Sequence, residues 1–241
     1  GEDRLDETVK RYNYLSGNVY ATYDNTFNEA HHLTAMAGMN LESWNSKSVK
    51  AVGKNILSED LNDLNLVGQS PTGEILTEVS GGQNAYKLMG FFARVNYDYK
   101  GRYLLEVSGR YDGTSRFAEG HRFGFFPSAS LGWRISEEPW FAPAKGVMNN
   151  LKLRASFGSL GNQKVKNNAW MRQITFDNFA GFSFDGSAMG RYATISAPNA
   201  SDLTWETSTQ YNAGIDAGMF GDKLMFTAEA FIRDTKGMLQ Q

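Results

Sequence analysis

The feature that most constrains the fold is a two-residue alternation of apolar and polar side chains, which is clearest in GRYLLEVSGRYDGTSRF at 101–117. One side of this stretch is apolar and carries Tyr103, Leu105, Val107 and Tyr111. The other side is polar apart from Leu104 and carries Arg102, Glu106, Ser108, Arg110 and Asp112. Successive side chains of a strand point to opposite faces, so the pattern predicts a strand with one apolar and one polar face.

The same period recurs along the chain and predicts eight β-strands. They cover 10–23, 31–46, 85–99, 101–117, 125–135, 150–160, 206–220 and 223–236. Two connecting segments lack this two-residue period and have helical signals instead. Leucines near helical spacing at 55–68, after Ser58 as a possible N-cap, predict a short helix. The segment SEEPWFAP, with Ser136 as a cap and Pro143 as a stop, predicts a one-turn helix.

Alternation alone leaves two architectures open. A soluble β-sandwich alternates because its polar face meets bulk water. A transmembrane barrel alternates because one face meets lipid and the other lines a water-filled lumen, with aromatic residues at the interfaces. Tyr97, Tyr99 and Tyr103 flank one turn, which favours the barrel.

The lengths of the connections favour the barrel more strongly. Short links at 24–30, 100–101 and 221–222 alternate with longer ones at 47–84, 113–124 and 161–205. Outer-membrane barrels have brief periplasmic turns and long outer loops, whereas a sandwich has no reason to alternate in this way. The segment 136–149 is the exception, since it falls among the short links yet is as long as 113–124.

The direction of the strands bears on completeness. With the short links at the periplasmic side, the first strand begins outside and the last strand ends outside. Free-standing bacterial barrels begin and end in the periplasm, so we expect 1–241 to be part of a longer barrel. A stand-alone barrel of eight strands stays open by strand count.

Composition excludes several kinds of site. The chain has no cysteine, so neither disulfides nor thiolate metal sites are expected, and three histidines are too few for a His-rich centre. A net charge of -2 gives no basic surface for nucleic acid. The adjacent Glu137 and Glu138 point to different sides and do not form a glycosidase pair. We therefore predict no catalytic residue, no metal and no cofactor.

A set of motifs carries a family resemblance. In order they are R-x-D-G-S/T-S-R-F, F-P-S-x-S-x-x-W-R, S-F-G-x-x-G-N-Q and L-x-W-E, all within about 100–236. Together they resemble the SusC/RagA-like TonB-dependent transporters of Bacteroidetes outer membranes. Residues 10–99 agree in character, for example in YNYLSGNVYATYD.

The resemblance implies an all-β fold: an antiparallel, up-and-down transmembrane segment of about eight strands from a barrel of about 22. It implies that 1–241 is part of the barrel domain, with the plug domain absent from this chain. It also implies an outer-membrane protein that is not an enzyme, with a SusD-like lipoprotein lid, TonB and membrane lipid as partners. The implied activity is active import of oligosaccharides or, less often, peptides; the alternative is a soluble β-sandwich that binds carbohydrate.

Seven residues are candidates for substrate binding. Glycans are held by aromatic faces and planar polar groups, which selects Trp170, Phe176, Phe179, Phe182, Phe184, Arg110 and Arg116. A structural explanation stays open for all of them. The arginines can pair with acidic neighbours such as Asp112 on the lumen wall, and the aromatic residues can pack the loop on itself or on the lid.

Overall fold

The computed structural model describes residues 4–57, 60–61, 63–69, 73, 77–167, 170–171, 174–178, 191–195 and 202–238. Ten strands lie in this part of the chain: β1 Arg4–Phe27, β2 His31–Lys54, β3 Thr77–Tyr99, β4 Tyr103–Thr114, β5 Phe123–Arg134, β6 Met148–Asn162, β7 Ile174–Asn178, β8 Arg191–Ile195, β9 Glu206–Met219 and β10 Leu224–Lys236. No helix among the described residues is long and apolar enough to cross a membrane.

Eight of these strands form one sheet in the order β1-β2-β3-β4-β5-β6-β9-β10. From β3 to β10 each neighbouring pair is antiparallel, so the chain meanders up and down. The predicted all-β, antiparallel fold with eight main strands is confirmed. The strands β7 and β8 form a separate antiparallel pair inside the connection 163–205, which the sequence predicted as a loop without strands.

The first three strands are much longer than predicted. Each has 23 or 24 residues, or about 80 Å at 3.3 Å per residue, whereas a barrel strand needs only about 9–11 residues to cross the bilayer. The predicted segments ended where the alternation ends. Strand parts with water on both faces need no alternation, so the sequence pattern missed them although the backbone pairing continues.

The chain divides into two compact units. Unit 1 comprises Gly1–Ser16 and Glu42–Lys87, and unit 2 comprises Gly17–Leu41 and Leu88–Gln241. Unit 1 is held by ion pairs between Lys50 and Asp6 (2.9 Å) and between Lys54 and Glu78 (2.7 Å). It also contains a line of rings, with Tyr12 and Trp44 at 6.3 Å and Trp44 and Tyr86 at 5.4 Å between centroids.

In unit 2 the register places apolar residues beside one another across six strands. One row is Val95, Val107, Ala129, Phe157, Tyr211 and Ile232. The next is Tyr97, Leu105, Leu131, Ala155, Ala213 and Ala230. We call this side the apolar face. Val107 is 47% exposed and Leu131 is 59% exposed, so neither a second sheet nor helices cover these residues in the described part of the chain.

The most buried apolar side chain of unit 2 lies instead in the loop after β4. Phe117 is fully buried and meets the ring of Trp205 edge-on at 5.7 Å between centroids. The same indole meets Phe126 edge-on at 5.2 Å and donates a hydrogen bond from Nε1 to the carbonyl of Arg122 (3.0 Å). A Cβ at Gly161 would collide with the ring of Phe126. The motifs of the sequence therefore meet in one cluster, which we call the loop-base cluster (Phe117, Phe126, Gly161 and Trp205).

The tight turns have the geometry that their residues favour. Lys100 and Gly101 both have positive φ, 54° and 66°, which is the type I′ pattern of a two-residue hairpin. The amide of Gly101 donates to Asp98 Oδ1 at 2.5 Å. This turn joins β3 and β4, as the sequence predicted.

The two predicted helices need correction. Within 55–68 the described residues form an isolated bridge between Ile56 and Val67 and a single 3₁₀ turn, Leu64–Leu66. The cap of that turn is Asp63, whose side chain accepts from the amide of Asn65, while Ser58 lies outside the described residues. The leucine spacing was misleading because a short apolar run also suits a loop that folds back on itself.

The segment after β5 contains two short 3₁₀ turns, Ile135–Glu137 and Pro139–Ala144. A one-turn helical segment is therefore present. The detail was wrong, because Ser136 lies inside the first turn and does not cap it, and Pro143 lies inside the second turn and does not end it.

Candidate functional site

The polar side of unit 2 lies opposite the apolar face. It consists of the residues that alternate with the apolar face, such as Ser128 and Ser130 in β5 and Ser156 in β6. The hydroxyls of Ser108 and Ser128 are 2.7 Å apart across β4 and β5. We call this side the polar face.

Most charges on the polar face pair with each other. Arg154 contacts Glu229 at 2.7 Å and Asp216 at 3.3 Å. Arg94 lies 3.8 Å from Glu106. These contacts link β3 with β4, and β6 with β9 and β10.

One row of register partners crosses the polar face beside these charges. Glu106 is opposite Ser130, Ser130 is opposite Ser156, Ser156 is opposite Asn212, and Asn212 is opposite Phe231. We call these five residues the cross-strand row. Two adjoining grooves of about 560 and 480 Å³ share four of them, Glu106, Ser130, Ser156 and Asn212, as lining.

The structure separates the two predicted arginines. Arg110 lies in β4, where its guanidinium pairs with Asp112 at 2.8 Å and stands 5.7 Å from the ring centre of Phe92. Arg116 lies at the base of the loop after β4 and donates from Nε to Asn167 Oδ1 at 2.8 Å. Both side chains therefore have partners within the protein, in line with the structural explanation, while their role in substrate binding stays a prediction.

Of the predicted aromatic residues, only Trp170 has a side chain in the described part of the structure. It is half-buried, and its Nε1 is buried without a hydrogen-bond acceptor among the described residues. Phe176 belongs to β7, but its side chain is outside the description. Phe179, Phe182 and Phe184 lie outside the described residues, so their grouping into one platform stays a prediction.

A buried carboxylate organises the tight-turn end of the apolar face. Glu138 is 7% exposed and accepts hydrogen bonds from Tyr103 Oη at 2.6 Å and Trp133 Nε1 at 3.1 Å. Arg102 lies 3.5 Å from the same carboxylate. The hydrogen bond from Tyr103, and then that from Trp133, hold the pKa of Glu138 below its ordinary value. The neighbouring Glu137 instead contacts Lys145 at 3.5 Å, so the two carboxylates do not act as a pair.

The rings around Glu138 continue along this end of the sheet. Tyr103 stacks with Trp133 at 6.4 Å and with Tyr99 at 6.3 Å between centroids. His31 is next, 4.8 Å from Tyr99, and its Nδ1 lies 2.7 Å from Tyr97 Oη. A belt of aromatic residues at one end of an exposed apolar face is what a membrane interface requires.

The sequence reasoning missed three of these features. The anchoring role of Glu138 depends on a contact with residues of two other elements, and no local signal revealed it. Phe231 had a signal, because it is an aromatic residue on the polar side of the alternation in β10. Asn212 had none beyond its place on the polar side. Among the described residues, no group of three or more possible metal ligands was found.

An exposed apolar face, an aromatic belt and a polar opposite face define the wall of a membrane-spanning β-barrel. The family model described as "TonB dependent receptor-like, beta-barrel" matches residues 2–241. The chain belongs to this family, whose members are outer-membrane proteins and not enzymes, so the predicted location and the absence of enzymatic activity are confirmed.

Curated relatives agree with the family. The chain is 32% identical to TonB-dependent receptor P39 of Formosa agariphila over 95% of its length, and 33% identical to TonB-dependent receptor SusC of Bacteroides thetaiotaomicron over 71%. It spans only 21% and 17% of those two proteins. The resemblance to SusC-like proteins stated from the motifs is thereby confirmed.

Solved structures agree in fold. The RagAB peptide transporter matches 95% of the chain with a TM-score of 0.80 and 26% identity, and the chain covers 24% of that protein. The RagAB peptide importer in its "open-open" state matches with a TM-score of 0.82 and 25% identity over 96% of the chain. Neither these matches nor the single large sheet gives support to the sandwich alternative.

Proposed function

We propose that the protein imports oligosaccharides or other large nutrients across the outer membrane, driven through TonB and assisted by a SusD-like lipoprotein. The observation that carries the proposal is the register of unit 2, which lines up one uncovered apolar face and one polar face across six strands. In a barrel wall the first face contacts lipid, and the second lines a path for polar solutes.

The similar proteins support the activity and the partners. One relative is named SusC, and two solved relatives are described as the RagAB peptide importer in "closed-closed" and "open-open" states. We propose for this chain a lipoprotein lid that closes over the two long connections, 55–76 between β2 and β3 and 163–205 between β6 and β9. TonB would act through a part of the protein outside 1–241.

The barrel itself is proposed to be larger than this chain. The edge strands β1 and β10 each have one neighbour in the sheet. An unpaired strand edge in lipid leaves backbone groups without hydrogen bonds, which is costly. We therefore propose that 1–241 contributes eight strands to a barrel of about 22 strands, the number found in related transporters.

The substrate would be bound from the lumen side and from the outer loops. Arg116 in the loop after β4 and Trp170 in the connection 163–205 remain proposed contacts, as do Arg110 on the strand wall and the phenylalanines at 176, 179, 182 and 184. The contacts of Arg110 with Asp112 and of Arg116 with Asn167 indicate that any substrate contact by these arginines is shared with a structural role.

Uptake by whole cells tests the proposal. The gene is deleted in its native bacterium, and the accumulation of fluorescent oligosaccharides and peptides is measured with and without the restored gene. We expect accumulation to depend on the gene and to stop when TonB is depleted. A small sugar that enters through porins serves as the control and is expected to be unaffected. Equal accumulation of every labelled compound in the deletion strain would contradict the proposal.

A further inference from the structure

We propose that the connection between β5 and β6, together with a groove on the apolar face beside it, binds one phospholipid of the periplasmic leaflet, with phosphatidylethanolamine as the preferred lipid. Arg102, Glu137 and Lys145 would hold the headgroup, and the groove would hold an acyl chain. None of these three residues is among the seven candidates taken from the sequence. The inference uses the outer-membrane location of the family and goes beyond the import function, which it does not require.

The first argument is the side of the wall on which this connection lies. The connection covers 135–147 and is too long for a tight turn, although it falls among the short links. Its Glu138 accepts hydrogen bonds from Tyr103 and Trp133, whose rings belong to the apolar face. The connection therefore lies over the outer surface of the rim, beside strands that are interior in the sheet. In a closed barrel this surface faces lipid, so its exposure does not depend on the rest of the protein.

The second argument is that the connection is anchored in the protein and yet exposes apolar side chains. Ser136, Glu138 and Phe141 are buried, whereas Trp140 is 63% exposed and Val147 is exposed as well. A tryptophan beside lipid is typical of the membrane interface, because its ring has an apolar body and a polar N–H. The connection therefore reaches the level of the lipid headgroups.

The third argument is a groove of about 480 Å³ on the apolar face, which begins at the same rings. Its apolar lining comprises two register rows: Tyr103, Trp133 and Leu153 at the rim, and Leu105, Leu131 and Ala155 one step further from it. Ala155 stands between the larger Leu153 and Phe157 on the same face of β6, so its small side chain leaves space. An acyl chain in this groove has its headgroup at the rim. Because the tight turns of such barrels are periplasmic, this is the orientation of a lipid in the periplasmic leaflet.

The fourth argument is charge. Arg102 lies 3.5 Å from Glu138, and Lys145 lies 3.5 Å from Glu137. The side chains of Arg102, Glu137 and Lys145 are partly exposed, so a ligand can reach both signs of charge. The two pairs together have no net charge. Phosphatidylethanolamine offers a phosphate to the cations and an ammonium group to Glu137, and its own net charge is zero, which favours it over an anionic lipid.

Lipid binding to the purified full-length protein tests the inference. The protein is stripped of lipid in detergent, and the affinities of the first and of later lipid molecules are measured by native mass spectrometry. The probes are phosphatidylethanolamine and phosphatidylglycerol with the same palmitoyl and oleoyl chains. The variants are Arg102→Gln, which removes a cation at the headgroup, and Ala155→Leu, which fills the groove. Heat-modifiable mobility on gels shows that each variant is folded.

Each variant has a matched control. Ala213→Leu makes the same change on the apolar face, at the register partner of Ala155 and outside the groove lining. Lys223→Gln removes an exposed cation at another tight turn, between β9 and β10. A loss of binding shared with these controls would reflect general contact with lipid and not a site.

We expect the first phosphatidylethanolamine to bind more tightly than later molecules and more tightly than phosphatidylglycerol. Arg102→Gln is expected to weaken this first step about tenfold, as the loss of a charge-assisted hydrogen bond implies. Ala155→Leu is expected to weaken it by about the same factor, because the acyl chain loses its buried contacts. Both controls are expected to bind like the unmodified protein. If Arg102→Gln does not fold, the comparison of Ala155→Leu with Ala213→Leu decides.

Four results would overturn the inference. They are equal affinity for the first and later lipids, preference for phosphatidylglycerol, unchanged first-step binding in either folded variant, and an equal loss in the controls. The uptake experiment tests the import function separately, because gene-dependent uptake by a protein without a preferred lipid would leave the importer intact and remove the lipid site.

Discussion

The loop-base cluster gives the sharpest prediction of stability. Phe117 is the largest fully buried side chain described, and Trp205 contacts it edge-on. The perturbation is Phe117→Ala. The matched control is Phe220→Ala, because Phe220 is 56% exposed in a tight turn.

The magnitude follows from burial. Removing a fully buried phenylalanine costs about 3–5 kcal/mol through lost transfer energy and the cavity left behind. If this free energy is lost from the closed form of the loops, a loss of about 3 kcal/mol raises the population of the locally open form about 100-fold. Truncating an exposed phenylalanine in a turn removes little buried surface, so Phe220→Ala is expected to lower the free energy of unfolding by less than about 1 kcal/mol.

The assay is limited trypsin digestion of the full-length protein in detergent. Arg116 and Arg122 flank Phe117 and are partly buried, so cleavage after them requires the loop to open. When opening is faster than cleavage, the cleavage rate follows the open population. We expect cleavage at these two arginines to accelerate about 100-fold in Phe117→Ala. A rate within threefold of that of Phe220→Ala would refute the packing role of Phe117.

Three further predictions follow from other contacts. Gly161→Val places side-chain atoms into the ring of Phe126, and overpacking of this kind costs about 1–3 kcal/mol, so the fraction of heat-modifiable barrel is expected to fall. Gly17→Val is the control, because an added Cβ at this strand position in β1 meets no atom within 4 Å, and it is expected to leave that fraction nearly unchanged. The pKa of Glu138 is held below its ordinary value of 4.5, so the charged form stabilises the fold at neutral pH, and this stabilisation is lost as the pH falls below 4.5. Glu138→Gln is expected to remove that acid-dependent loss of stability from thermal melts recorded between pH 3 and 7. An unchanged loss in the variant would show that other groups cause it. Arg154→Gln leaves Glu229 and Asp216 without their cation and is expected to lower the melting temperature. The control Arg11→Gln, on an exposed part of β1, is expected to leave the melting temperature unchanged. Equal melting temperatures for the two variants would show that the ion pairs of Arg154 contribute nothing to stability.

Much of the fold could be predicted from the sequence, since the lipid and the lumen impose the alternation directly. The residues of β4 and β5 show this best: Leu105 and Leu131, both predicted to be apolar-facing, are register partners on the exposed apolar face. The prediction failed where neither face is buried. The outer halves of β1–β3 and the pair β7–β8 are held by backbone pairing, which leaves no strong pattern in the side chains.

The candidate site was less predictable. Arg110 and Arg116 were chosen by residue type, but type does not reveal that Asp112 and Asn167 already bind them. The cross-strand row joins residues that are far apart in sequence, 106, 130, 156, 212 and 231. Only the register brings them together, and a register cannot be fixed from one strand's alternation alone.

The central claim is that the apolar face contacts lipid and the polar face contacts water. The chain contains no cysteine, so single spin labels can be attached at Leu131→Cys and Ser130→Cys, adjacent residues on opposite faces of β5. Electron paramagnetic resonance then compares collisions with oxygen, which concentrates in lipid, and with a water-soluble nickel chelate, in the full-length protein in bilayers. We predict that the label at Leu131 meets mainly oxygen and the label at Ser130 mainly nickel. Nickel access at both positions, or oxygen access at both, would contradict the membrane-wall assignment.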